Sequence, residues 1–314
     1  MIDLTRGDDV RVRVSHYGLC LSVAAGAEFT QPQTWFDAGY AAAAVEFIRG
    51  LPPGALESEI LACQALGAPE GIIRTKPRGT ALAWTSPGVG EHTSVIAPAP
   101  NAATNVDEAG ILAALATLDF AGNEEGLIPR FGVMLTRHFA NFYNRISFEF
   151  VRRMEDAGLL EAAEELLIEG GLRCAFHTFG GIMTSGEWDA VVRPQCKTDL
   201  DWAHGMVACV NALGWGTWRA IEASPQRLVV RIFDDYESTG WRGMFGKASR
   251  PISYLAEGGV RGLAELVFNG GIQNKPELDK ELYLRLFESP DRFQTRTTRS
   301  FAGGDPYTEI IAER

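Results

Sequence analysis

Apolar and polar positions change period along this chain, and the changes mark its elements. Residues 10 to 24 alternate with period two, which predicts two strands around a turn near Gly18, followed by a loop from Gly26 to Pro32. Thr34 is suited to cap a helix, and the alanine-rich pattern after it runs to Ile48 before Gly50 and Pro52-Pro53 stop it. Residues 56 to 65 and 71 to 76 return to strand spacing around Gly67-Ala68-Pro69, and Leu82 to Thr85 forms a further short strand. Pro98, Pro100, Asn101 and Asn105 interrupt any period between 96 and 106. Helical spacing then dominates from 107 to 170. Phe139, Phe142, Tyr143, Ile146, Phe150 and Met154 share one face and are expected in the core, Glu161 to Glu169 form a solvated face, and Gly170-Gly171 is the expected stop.

Residues 172 to 185 form a small-residue segment, and Leu200 to Leu213 reads as a helix or a helix-to-strand transition. Trp215 to Glu222 and Leu228 to Asp234 make a hairpin around Ser224-Pro225, with Thr239 to Lys247 as a loop. A helix over 251 to 268 breaks at Gly270-Gly271, an extra helix covers 275 to 288, and strands at 294 to 300 and 308 to 312 flank Gly303-Gly304-Asp305-Pro306. Helices first and antiparallel strands afterwards predict an α+β fold, with antiparallel sheets packed by helices.

Two stretches order the same parts. Val10 to Val14, Gln33 to Tyr40, Ala43 to Ile48 and Cys63 to Gly71 are matched near the C-terminus by Leu228 to Phe233, Ile252 to Gly259, Gly262 to Val267 and Ser300 to Thr308. Each copy has a strand, a small-residue helix with Gly and then Glu at one spacing, and a closing A-x-G-x-P turn. A partial internal duplication follows as an expectation. The domains expected are a partial unit over 1–95, a linker over 96–106, and a helical segment plus complete unit over 107–314.

Composition narrows the function. The chain has 314 residues, 46% hydrophobic and 22% charged, an ordinary globular balance. A formal charge of -11 lacks the basic footprint that nucleic-acid backbones need. No apolar run reaches a membrane span and Met1-Ile2-Asp3-Leu4 does not open a signal peptide, so a cytoplasmic protein without membrane or nucleic-acid partners is expected. Cysteines 20, 63, 174, 196 and 209 form no C-x-x-C pair, so neither a disulfide framework nor a compact four-cysteine zinc site is expected. Cys20 and Cys209 read as buried small hydrophobes.

Candidate chemistry gathers in the last half. His177 is either a core histidine beside aromatics or a pocket acid/base or metal ligand. Asp201 and His204 lie near one another if on a helix, where the acid can orient the imidazole; Thr198 or Asp199 equally suits a helix cap. Asp234-Asp235 reads as a turn before a metal site. Trp188, Trp202, Trp215 and Trp218 crowd one third of the chain, as in an aromatic-walled small-molecule pocket. Cys196, beside Lys197, carries no further mark of a nucleophile. Gly258-Gly259 and Gly303-Gly304 read as packing and turn residues, and no phosphate loop, H-E-x-x-H or Ser/His/Asp signature occurs.

Leu200-Asp201-Trp202-Ala203-His204-Gly205-Met206, a hairpin, Phe233-Asp234-Asp235-Tyr236-Glu237, a glycine-rich helix and the closing A-x-G-D-P-Y turn together resemble the ligand-sensor region of aromatic-responsive bacterial transcription activators. That region joins an activator N-terminal segment to a 4-vinyl-reductase-type domain. The resemblance covers roughly residues 135 to 312, with 9 to 76 resembling the reductase-type half alone. It implies a small-molecule ligand, with Trp202, Trp215, Phe233, Phe179 and Tyr254 as candidate lining; His177, Asp201 and His204 are the candidate acid/base groups if the chain is an enzyme. Where the family's pocket carries a histidine this chain has Asp201, and Phe233 stands near its tryptophan, which favours a cationic or hydrogen-donating ligand over a simple phenol. The family's structural zinc places fall on Ile60, Cys63 and Gly71, and again on Thr297, Ser300 and Thr308, too few ligands for zinc, so no metal and no cofactor are expected. The activators' ATPase and DNA-binding modules have no counterpart here. Two functions stay open: a small-molecule-binding protein for an aromatic or organic-acid metabolite, and an enzyme of hydrolase or lyase type on the same fold. The partial copy either completes a sheet or makes a homodimer contact.

Overall fold

The structure, a computed structural model, describes residues 2–6, 9–13, 29–80, 101–138 and 140–314, with side chains from residue 9 onward. Cys20, the Gly18 turn, the strand at Leu82 to Thr85 and Phe139 lie outside the described residues. The chain forms two compact units. One comprises Met1–Ser86, Phe120–Ile128 and Met134–Thr136; the other comprises Pro87–Asp119, Pro129–Val133 and Arg137–Arg314. Both are α+β with antiparallel sheets, as the order of periods predicts.

The first unit has strands β1 (Ile2–Arg6), β2 (Asp9–Val12), β3 (Leu56–Ala62) and β4 (Gly71–Pro77), with helix α1 (Trp35–Arg49) between β2 and β3. The sheet order is β1-β2-β4-β3, all antiparallel. Ala38, Ala41 and Val45 bring α1 down onto Val10, Val12, Leu56 and Ile73. Glu46 is buried on the same helix, and its carboxylate accepts the backbone N–H groups of Gly54 (3.1 Å) and Leu56 (2.8 Å). The β3–β4 connection closes at Gly67, whose φ of 85° suits glycine; Gly67 N–H donates to Gln64 O and Ala68 N–H to Cys63 O.

The second unit begins with α2 (Glu108–Leu115) and continues, after the short strands β5 (Ile128–Arg130) and β6 (Val133–Leu135), each of which has residues in both units, with α3 (Ala140–Asp156), α4 (Leu160–Thr184), α5 (Gly186–Val191) and α6 (Asp199–Ala212). Strands β7 (Thr217–Ala223) and β8 (Arg227–Phe233) follow, then α7 (Tyr236–Phe245), α8 (Tyr254–Phe268), α9 (Lys280–Phe287), β9 (Gln294–Arg299) and β10 (Thr308–Glu313). The sheet order β7-β8-β10-β9 is again first, second, fourth, third. Its turn between the last two strands repeats the bonding of the first unit: Gly304, at φ 102°, donates to Phe301 O and Asp305 N–H to Ser300 O. Glu265 on α8 accepts Phe293 N–H at 2.6 Å, one residue before β9.

Four expectations are corrected. Gly170-Gly171 does not end a helix, because α4 runs through both to Thr184. A β-carbon on Gly171 would overlap the Leu255 backbone, and one on Gly258 the Ile168 carbonyl, so these glycines set the α4–α8 approach. The stretch from 107 to 170 is not continuously helical: 116 to 138 separates α2 from α3. On α3 the buried face is Asn144, Ser147, Phe148 and Val151, while Tyr143 and Ile146 are exposed. Phe148 packs edge-on to Trp241 at 5.1 Å, and Asn144 Nδ2 donates to Tyr236 O at 2.7 Å, which rotates the helix away from the face that apolarity alone selects. Finally, Thr239 to Lys247 is largely α7, not a loop. Its glycines disguise a helix capped by Asp235, and Gly240 leaves the room that Asn144 fills.

Candidate functional site

The interior of the second unit is built where α4, α8 and the β7–β8 hairpin meet. Gly259 turns its α-carbon toward the Trp218 and Phe179 rings, with 3.5 and 3.9 Å left for a β-carbon. Trp218 Nε1 donates to Trp215 O at 3.3 Å, which fixes the bend before β7. The Trp215 ring then lies 6.1 Å from Phe179 and 6.2 Å from Tyr236. Cys174 and Thr178, one turn apart on α4, meet at 3.7 Å.

Tyr236 is held by the turn that carries it. Asp234 sits at φ 55°, a left-handed conformation that a non-glycine residue adopts at a cost. Asp235 is buried and caps α7 by accepting Glu237 N–H at 3.1 Å. Its other oxygen accepts Ser253 Oγ and Thr308 Oγ1, and Ser238 joins both hydroxyls. The Glu237 carboxylate accepts the N–H groups of Leu255 (3.2 Å) and Ala256 (3.0 Å) at the start of α8. With both flanking acids bonded, the Tyr236 ring is presented in one orientation. Burial pushes its phenol well above the ordinary tyrosine range, helped by Glu237, Tyr143, Asp235 and Cys174. The Tyr236 backbone carbonyl accepts from Asn144 Nδ2 at 2.7 Å.

Asp201 and His204 stand elsewhere, on α6. Thr198 caps this helix and Asp201 completes a capping box. The Asp201 carboxylate, 1% exposed, accepts from Thr104 Oγ1, the Asn105 N–H and Nδ2, and the Lys197 N–H, Thr198 N–H and Thr198 Oγ1, all between 2.9 and 3.1 Å. Burial alone would raise its pKa; the donors, led by Asn105 and Lys197, overcome that and hold the carboxyl well below the usual range. Residues 101 to 108 are thereby fastened to α6. Glu108 continues the seam, accepting from Asn211 Nδ2 (2.7 Å), Arg219 Nη1 (2.9 Å) and Asn101 Nδ2 (3.0 Å).

His204 is 3% exposed and both its ring nitrogens lack a partner. Burial lowers its pKa against the fields of Asp201 and Glu108, so the ring is held neutral.

The remaining candidates separate by their ring contacts. Trp202 packs against Trp188 at 5.2 Å, and Phe233 against Tyr307 at 5.4 Å. Tyr254 donates its hydroxyl to Glu164 at 2.9 Å. His177 lies on the exposed side of α4, edge-on to Phe176 at 5.0 Å, with partial burial and the charge of Arg173 lowering its pKa. Among the described residues, Trp215 and Phe179 are the members of the expected lining whose rings join the Tyr236 cluster, Trp215 directly and Phe179 through Trp215. Tyr236 stands within the Phe233 to Glu237 motif, but its place two residues after Asp234, on a helix hidden by glycines, gives no periodic signal.

Burial pushes the Cys196 and Cys209 thiols up to about 12, which leaves both poor nucleophiles at neutral pH. Of the positions matched to the family's zinc, Cys63 is buried and bonded by Thr34, Ser300 Oγ accepts Gly303 N–H, and Thr308 serves Asp235. Among the described residues no group of three or more His, Cys, Asp or Glu side chains is arranged to hold a metal, and no helix is long and apolar enough to cross a membrane.

No family model and no curated protein matches the chain. Among solved structures it is similar to the crystal structure of the phenol-responsive sensory domain of the transcription activator PoxR with phenol, at 16% identity over 65% of this chain and 88% of that one, with a TM-score of 0.47.

Proposed function

We propose that the second unit binds a small aromatic or organic-acid metabolite, held against Trp215 and Phe179 and hydrogen-bonded by Tyr236. One observation carries this reading: a tyrosine mounted between two bonded acids, whose ring lies 6.2 Å from Trp215, itself 6.1 Å from Phe179. Aromatic walls with a few placed polar groups are the usual form of a small-molecule site. The motif resemblance to aromatic-responsive sensors agrees with it. The duplication belongs to the same reading. It is supported by the shared strand order, by the matching turns at Gly67 and Gly304, and by glutamates 46 and 265 placed alike on α1 and α8.

The test is native mass spectrometry of the purified chain, followed by tryptophan-fluorescence titration with phenol and with benzoate. Saturable quenching is expected, weakened roughly tenfold by Tyr236→Phe if one hydrogen bond to the ligand is lost. No co-purified molecule and no saturable response, or a response untouched by Tyr236→Phe and Trp215→Leu, would remove this site from consideration.

A second reading, an enzyme of hydrolase or lyase type, is favoured by His204 alone, because a buried neutral imidazole with both nitrogens open is a proton acceptor without an internal use. It requires that His204→Ala abolish turnover while leaving binding intact; equal turnover by the variant would end it.

A further inference from the structure

Away from the aromatic cluster, the end of α8, helix α9, the loop from Ser289 and the end of β10 enclose a cleft of about 500 Å³. Three of its lining side chains are arginines, Arg285, Arg292 and Arg314, against one carboxylate, Asp291. Among the described residues neither Arg285 nor Arg292 forms an ion pair. Arg292 donates only to the Ser289 carbonyl, at 3.1 Å, and Arg314 bonds the neutral amide of Asn269. A fourth guanidinium stands behind them: Arg261 donates to Phe287 O at 3.4 Å, and its Nε is buried without a partner. Burial disfavours the protonated form of Arg261, Glu265 opposes that, and the neighbouring charge of Arg292 adds to it. Glu265, whose charge acts on Arg261 and Arg314, accepts Phe293 N–H and Asn269 Nδ2 and does not line the cleft.

This concentration of positive charge occurs in a chain of net charge -11, where chance placement would surround each arginine with acids. Three arginines against one aspartate leave an excess of positive charge in the cleft, and like charges held together repel until an anion enters. Guanidinium forks match the paired oxygens of phosphate and carboxylate, and Asn269, Ser289 and Gln294 add neutral hydrogen-bonding groups. The volume exceeds what a single inorganic anion fills.

We propose that this cleft is a second binding site, for a small organic molecule bearing two or more phosphate or carboxylate groups. It is independent of the aromatic site: Arg285 and Arg292 have no part in that cluster.

Isothermal titration of the full chain with pyrophosphate, and separately with citrate, at ionic strength matched by sodium chloride, tests it. Saturable binding of one or both is expected, and which one binds separates a phosphate source from a carboxylate source. Arg285→Ala and Arg292→Ala should each weaken it by about tenfold or more, and Arg292→Lys, which keeps the charge but loses the fork, should also weaken it. Arg285 is exposed, so its variant should melt normally in chloride and decides the matter if Arg292→Ala fails to fold. No saturable binding of either anion, or binding that Arg285→Ala leaves unchanged, would overturn the proposal.

Discussion

Glu265 reaches off its helix to accept the backbone N–H of Phe293 at 2.6 Å, and so ties α8 to the start of β9. Glu46 makes the same bond to Leu56 at the start of β3, at 2.8 Å. In each unit the buried acid converts a helix lying on a sheet into a helix fixed in register with one strand. A buried carboxylate is costly unless its oxygens are filled, and backbone donors at a strand start fill them without a counter-charge.

Burial raises the pKa of Glu265 against its donors and against the charges of Arg261 and Arg314. A carboxyl whose folded value is raised adds stability at low pH, and that contribution is lost as pH rises above the unfolded value of about 4.5 through the folded one. Glu265→Gln should therefore flatten the decline in stability above that value, whereas Glu265→Ala should cost about 1–3 kcal/mol by orphaning Phe293 N–H. Urea unfolding of the three proteins across pH 4 to 8 measures both effects, and parallel curves for wild type and Gln would contradict the linkage.

Gly39 and Gly258 hold the same place seven residues before these glutamates, yet substitution should act in opposite directions. A β-carbon at Gly39 meets nothing within 4 Å, so Gly39→Ala should stabilise the first unit by about 0.5–1 kcal/mol through helix propensity. At Gly258 it would overlap the Ile168 carbonyl, so Gly258→Ala should cost about 1–3 kcal/mol or more. Thermal melts of the two variants are the check, and the same sign for both would mean that the α4–α8 approach is not as close as described.

Asp201→Ala separates two expectations. The motif suggests a ligand group, for which the melt would stay normal and ligand handling fail. The six donors on its carboxylate lead instead to a stability loss of about 3–5 kcal/mol, the range for stripping a buried, fully bonded charge of its place. Its pKa is held low in the fold, so its contribution should be complete above the unfolded value of about 3.9 and lost as pH falls below it. Paired melting and binding assays decide between the two, because only the structural role predicts collapse without ligand.

His204→Leu should be neutral or stabilising by roughly 1 kcal/mol if the ring is only packing, since two buried nitrogens would no longer go unbonded. Because burial holds the imidazole below its ordinary pKa, the wild type should lose stability as pH falls through about 6.5, and the variant should lack that loss. Denaturant midpoints at pH 5, 6 and 7 test this directly.

The sequence by itself determined what depends on local period and turn chemistry. The strands at 56–62, 71–77, 217–223 and 227–233 and the helices at 35–49 and 254–268 fall where alternation, helical spacing and glycine place them, although Thr34 turns its hydroxyl to Cys63 instead of capping its helix. Tertiary packing decided the rest. Glycine has the same letter whether it ends a helix or admits a neighbour, so Gly171 and the α7 glycines could not be read until Leu255 and Asn144 were seen against them. Apolarity chose Tyr143 and Ile146 for the core of α3, but a hydrogen bond from Asn144 to a distant carbonyl turned that helix. The candidate site divides in the same way. Asp201 and His204 were visible as a spacing, yet whether an acid faces a ligand or its own chain depends on donors ninety-six and ninety-seven positions away, at Asn105 and Thr104. Partners that far apart leave no periodic trace, because only the folded chain brings them within bonding distance.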